Sequence, residues 1–256
     1  MKPLLGAVLG LAGAAALAAG IAPEERLSGY DLAGREIRAM QDDDTANPGM
    51  LWVLQGEALW AQQIGAAGRS CADCHGNARD SMRGVAARYP AFDAALGRPL
   101  DLEQRINQCR IGHQRAEPLA WESDELLALS AFIARQSRGL PIEISVGPQL
   151  RPFLDQGRQL FQQREGQLNL SCSQCHDDLW GKRLAGSVIP QGHPTGYPVY
   201  RLEWQSLGSL QRRLHNCMTG VRAEPFDNGA PQAVALELYL MERARGMLMD
   251  APAVRP

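Results

Sequence analysis

Hydrophobic and polar positions along the chain fall into a pattern that occurs twice. Residues 51–64 carry apolar side chains at helical spacing (Leu51, Leu54, Ala58, Ala61), with Trp52 and Trp60 flanking that stripe, which predicts a helix. A second helix starts at Ser123, a residue suited to cap it, and stops at Gly139 ahead of Pro141. A helix opens again near Pro152, and another closes the chain between Pro231 and Gly246. Residues 141–152 then read as the linker between two copies. An aromatic side chain in each opening helix, beside a glycine that permits close approach, and another in each closing helix suit two helices that cross. Before all this stands an apolar run at residues 4–19, made mostly of Ala, Leu and Gly and preceded by Met1-Lys2.

Residue identities carry the repeat further. Gly56-Glu-Ala-Leu-Trp60 returns as Gly157-Arg-Gln-Leu-Phe161, 101 positions on. Tyr89-Pro90, Arg105 and Cys109 return as Tyr197-Pro198, Arg213 and Cys217, at an offset of 108. Arg115-Ala-Glu-Pro118 returns as Arg222-Ala-Glu-Pro225 at 107, so the first copy has one extra residue there, expected in a loop. The reading is two homologous domains, 49–145 and 146–256, behind an extension over residues 23–48 that has no second copy. Within that extension Asp42-Asp43-Asp44 reads as a solvated loop.

Composition narrows the class. A chain of 256 residues has room for two domains, and 45% hydrophobic content is enough to build their cores. With 26 Gly and 16 Pro it should be loop-rich. Lys plus Arg total 26 against 28 Asp plus Glu, which argues against nucleic acid as a partner. Lys2 and Lys182 are the only lysines, and the many arginines suit a small oxyanion. Residues 1–22 read as a signal peptide, since the apolar run is short and ends in small-x-small sequence. The expectation is export to the periplasm without stable membrane insertion.

Six cysteines carry the chemistry. Cys71-Ala-Asp-Cys74-His75 and Cys172-Ser-Gln-Cys175-His176 both have the spacing by which c-type haem is attached. The paired thiols take the vinyl groups and the histidine turns onto the iron, so two covalent haem c groups are expected, with His75 and His176 as iron ligands. A disulfide framework does not explain a His after each pair, and adjacent Cys and His crowd one zinc tetrahedron. For the opposite face of each iron, Met82 and Met218 are not equivalent by the repeat, and neither His113 nor His215 has a histidine counterpart. Cys109 and Cys217 do recur. They are candidate thiolate ligands, the alternative being a disulfide that joins the domains. An anionic thiolate stabilises ferric iron and lowers its potential, which points to specialised sulfur chemistry.

Met40-Gln-Asp-Asp-Asp44, Asn47-Pro-Gly49, the two haem motifs, Arg105-Ile-Asn-Gln-Cys-Arg110 and Arg213-Leu-His-Asn-Cys-Met-Thr-Gly-Val-Arg-Ala-Glu-Pro-Phe226 together resemble the SoxA family. That family comprises the dihaem c-type subunits of the SoxAX complex of sulfur oxidation. The resemblance implies a mainly α fold of two tandem class I-like cytochrome c domains with loop-rich haem pockets, plus an N-terminal extension. It implies pairing with SoxX, and oxidative coupling of thiosulfate to the carrier cysteine of SoxYZ, with electrons passed to a cytochrome. By the same resemblance Cys217 is the catalytic cysteine, able to bear a persulfide, and ligates the catalytic haem, while Arg213 binds the sulfur oxyanion. If the intervening segment is helical, Arg213 and Cys217 share a face. A brace for a haem propionate is the other role open to such an arginine. A thiosulfate dehydrogenase and a non-catalytic dihaem electron carrier remain as alternative functions.

Overall fold

The structure is a computed structural model that describes residues 21–184 and 186–256, so the expected signal peptide lies outside it except for Ile21 and Ala22. After a short 3-10 turn, helix α1 (Arg35–Asp42) belongs to the extension. The first repeat runs α2 (Met50–Ala61), α3 (Cys71–His75), α4 (Ala78–Ser81), the hairpin β1 (Ala91–Asp93) and β2 (Arg98–Leu100), α5 (Leu102–Cys109) and α6 (Asp124–Arg135). The second runs α7 (Arg151–Gln162), α8 (Cys172–His176), the small hairpin β3 (Arg183–Leu184) and β4 (Ser187–Val188), β5 (Val199–Arg201), β6 (Ser206–Gly208), α9 (Leu210–Gly220) and α10 (Pro231–Arg243). The last strand, β7 (Ala253–Arg255), adds parallel to β5, giving the order β6-β5-β7.

Two crossings organise the repeats, α2 on α6 and α7 on α10, and glycine makes both. A Cβ at Gly56 would overlap the carbonyl oxygen of Ala128, and one at Gly157 that of Ala235. The aromatic partners follow: Trp60 meets Phe132 at 5.8 Å between centroids, and Phe161 meets Tyr239 at 5.4 Å. Ser123 caps α6 as expected, accepting from the Leu126 amide. The stripe expected on α2 is not the buried one. Val53, Gly56 and Trp60 turn inward, whereas Leu51 and Leu54 are 66% and 60% exposed and Ala58 and Ala61 also face out. This helix is apolar nearly all round, so spacing admits several faces and the approach at Gly56 selects one.

Three other expectations change. The extra residue of the first copy lies in a π-helical turn, Arg110–Gln114, appended to α5 rather than in a loop. It lets Arg115 arrive where Arg222 does, both with positive φ, and both locked by the preceding glycine loop. Ala66 and Ala67 donate to the carbonyls of Arg115 and Gln114, as Gln167 and Leu168 do to those of Arg222 and Val221. Residues 141–152 are no free tether. Ile142 and Ile144 are buried, and Ile142 exchanges backbone hydrogen bonds with Gly246 and Met247. The acidic triplet, though exposed, is engaged: Asp42 accepts from Tyr30 at 2.6 Å, Asp43 caps Thr45, and Asp44 holds Arg135 and Arg138 at 2.8 and 3.0 Å.

The extension fastens to the second repeat. Buried Gln41 donates to Asp250 at 3.0 Å and accepts from the Val254 amide at 3.1 Å. Asn47 donates to the Pro252 carbonyl at 3.0 Å. Farther upstream, Gln191 bonds the backbone of both Glu25 and Leu27, and His193 Nδ1 donates to the Leu27 carbonyl at 3.0 Å.

Candidate functional site

Each Cys-x-x-Cys-His segment is one short helix made by its own first turn. Ser70 accepts from the Asp73 amide while Asp73 accepts from that of Ser70; Ser171 and Gln174 do the same in the second copy. The turn places the first Cys three residues, and the His four, from a common face. Around α3 opens a cavity of about 750 Å³. Its walls include Cys71, Cys74, His75, Cys109, Arg105, Trp60 and Met82. All four thiol and imidazole groups expected at the first haem therefore line one space.

In the second repeat the histidine is already aimed. His176 Nδ1 donates to the Pro190 carbonyl at 2.7 Å, which fixes the tautomer and frees Nε2. Helix α9 carries Arg213 and Cys217 one turn apart, as expected if that segment is helical. Cys217 faces His176 within hydrogen-bonding reach. All six cysteines are free thiols, so Cys109 and Cys217 do not form the alternative disulfide.

The electrostatics of the two thiols differ. Burial pushes Cys109 up, with Arg105 opposing it weakly. For Cys217 burial also acts upward, but the His176 hydrogen bond and the charges of Arg213 and Arg201 outweigh it and hold the thiol below its ordinary range. Cys172, beside Cys217, is raised to about 11 by burial.

The two arginines differ as well. Arg105 is neutralised by Asp93 at 2.7 Å. Arg213 has no side-chain hydrogen bond or ion pair among the described residues, although it occupies the same place in its repeat. The sequence reading missed Asp93 and Arg201, which are equivalent at the offset of 108; carrying that offset onto the strands would have found them.

A family model described as the SoxA/TsdA cytochrome c domain matches residues 55–142 and 156–249. The chain belongs to this family. It is 37% identical over 233 residues to the L-cysteine S-thiosulfotransferase subunit SoxA of Pseudaminobacter salicylatoxidans, covering 91% of this chain and 82% of that one. The Rhodovulum sulfidophilum subunit of the same name is 34% identical over 232 residues, covering 91% and 81%. Among solved structures, SoxXA from P. pantotrophus superposes with a TM-score of 0.87 at 31% identity, covering 90% of this chain and 87% of that chain. The SoxA/TsdA assignment gives a mainly helical cytochrome c fold and implies haem c. The residues present fit that group: a cavity lined by thiols and an imidazole in one repeat, and an imidazole held by a carbonyl and facing a thiol in the other.

Proposed function

We propose that this chain is the dihaem subunit of a periplasmic SoxAX complex, paired with SoxX, and that it oxidatively couples thiosulfate to a carrier cysteine of SoxYZ. The observation that carries this reading is the meeting of His176, Cys217 and an ion-pair-free Arg213 at one end of the second repeat. Cys71 and Cys74 would attach the first haem, with His75 and Cys109 on its iron; Cys172 and Cys175 would attach the second, with His176 and Cys217. When bound, haem c supplies a one-electron acceptor beside the reacting sulfur, and a partner cytochrome takes the electrons onward.

The chain's own residues do the rest. The Pro190 carbonyl holds the His176 ring in place. Arg213 and its neighbours keep Cys217 in the anionic form that attacks sulfur or ligates metal. The planar fork of Arg213 matches sulfonate oxygens and keeps its proton throughout. Thiosulfate and the carrier thiol are joined by a new S–S bond, and one proton and two electrons leave.

Oxidised complex mixed with thiosulfate, with and without SoxYZ, tests the reading by mass spectrometry of the products. The expected result is a thiosulfonate on the carrier cysteine and turnover that requires the carrier. Tetrathionate formed at the same rate without the carrier would refute it in favour of a thiosulfate dehydrogenase.

A further inference from the structure

The two repeats place opposite charges at one equivalent strand position. Asp93 ends β1 and Arg201 ends β5. Asp93 closes an ion pair with Arg105 at 2.7 Å, so that corner of the first repeat is electrically neutral. At the matching corner of the second repeat two arginines stand together, Arg201 on the strand and Arg213 on the helix. Val199 and Arg201 alternate with Tyr200, whose ring packs against Trp52 at 5.9 Å, so Arg201 lies on the opposite face of β5. Its side chain is 14% exposed, and its Nε donates to Glu203 at 2.8 Å. Glu203 is half exposed, a weak counter-charge. The terminal nitrogens of Arg201 have no hydrogen-bond partner among the described residues.

We propose that Arg201 is a second substrate-holding side chain, which with Arg213 grips a sulfur oxyanion of charge minus two in the place where the first repeat has its own carboxylate. Two half-buried guanidinium groups repel each other unless an anion lies between them. The charges of both reach Cys217, so an anion held there stands next to that sulfur. A haem propionate is the competing anion, but the first repeat needs propionate room too and has Asp93 at this position. The inference rests on the thiosulfate reading above for the identity of the anion.

Thiosulfate binding to the oxidised holo-complex, measured calorimetrically without SoxYZ, is combined with steady-state KM and kcat in its presence. Arg201→Gln should weaken binding and raise KM about tenfold with kcat within about twofold, the pattern of a lost contact made equally throughout the reaction. Arg201→Asp, which rebuilds the neutral pair of the first repeat, should weaken binding about a hundredfold, and Arg201→Lys should recover part of the loss. Haem content and visible spectrum should match the parent in all three. Unchanged binding in Arg201→Asp, or losses that track haem content or a shifted haem spectrum, would overturn the assignment. Thiosulfate binding that depends on Arg201 in a parent complex lacking turnover would instead preserve the site and remove the proposed reaction.

Discussion

Cys109 and Cys217 hold the same place in their repeats but different surroundings. Cys109 is raised by burial beside an arginine already spent on Asp93, whereas His176, Arg213 and Arg201 lower Cys217. If both thiolates sit on iron, Cys109→Met keeps a sulfur ligand and removes its charge. One haem should then rise in potential and change its visible spectrum while the other stays as it was; a redox titration that finds neither haem altered would remove the ligand assignment. At this scale the sequence was most legible where chemistry is local. The haem motifs and their histidines sit within five residues, and Arg213 is one helical turn from Cys217. Arg201 was hidden because its role appears only against the strand carrying Asp93, and the Pro190 carbonyl because a backbone acceptor leaves no mark in residue type.

Among the elements, the crossings of α2 on α6 and α7 on α10 depend on hydrogen as a side chain. Gly157→Ala puts a methyl group against the Ala235 carbonyl, backbone that cannot rotate away. The second repeat should lose roughly 2–3 kcal/mol, seen as a lower melting temperature of the holoprotein. A melting temperature equal to the parent's would mean that the crossing has slack. Helix ends were readable because Ser123, Pro152 and Pro231 mark them chemically. The face of α2 was not, since Leu51, Leu54, Val53 and Trp60 are all apolar and only a tertiary contact ranks them. The strands escaped notice because β1, β2, β5 and β6 are three residues each, too short for alternation to register.

Across the whole molecule, the repeats meet over buried acids. Gln211 on α9 donates to Asp101 at 2.8 Å and to Glu237 on α10 at 3.2 Å. Burial raises Asp101 to about 6 and Glu103 to about 8; it also lifts Glu237, and the carboxylates, with Glu122 nearby, raise one another while Arg98 partly relieves Asp101. Folded-state values above the unfolded ones mean that the native protein binds more protons, so stability falls as pH rises from about 4 to about 8. Thermal melts should give a lower melting temperature at pH 8 than at pH 5, and Glu103→Gln should shrink that difference; an equal difference in the variant would place the titration elsewhere. The π-turn at Arg110–Gln114 has a consequence of a different kind. One residue added to an α-helix rotates everything beyond it by about 100°, yet Arg115 and Arg222 close the same turn on the same glycine loop. The stretch between each cysteine and that turn is thus a seam at which the duplicated halves can lengthen, shorten or trade parts, and Cys109 and Cys217 stay in place while each half acquires its own trade.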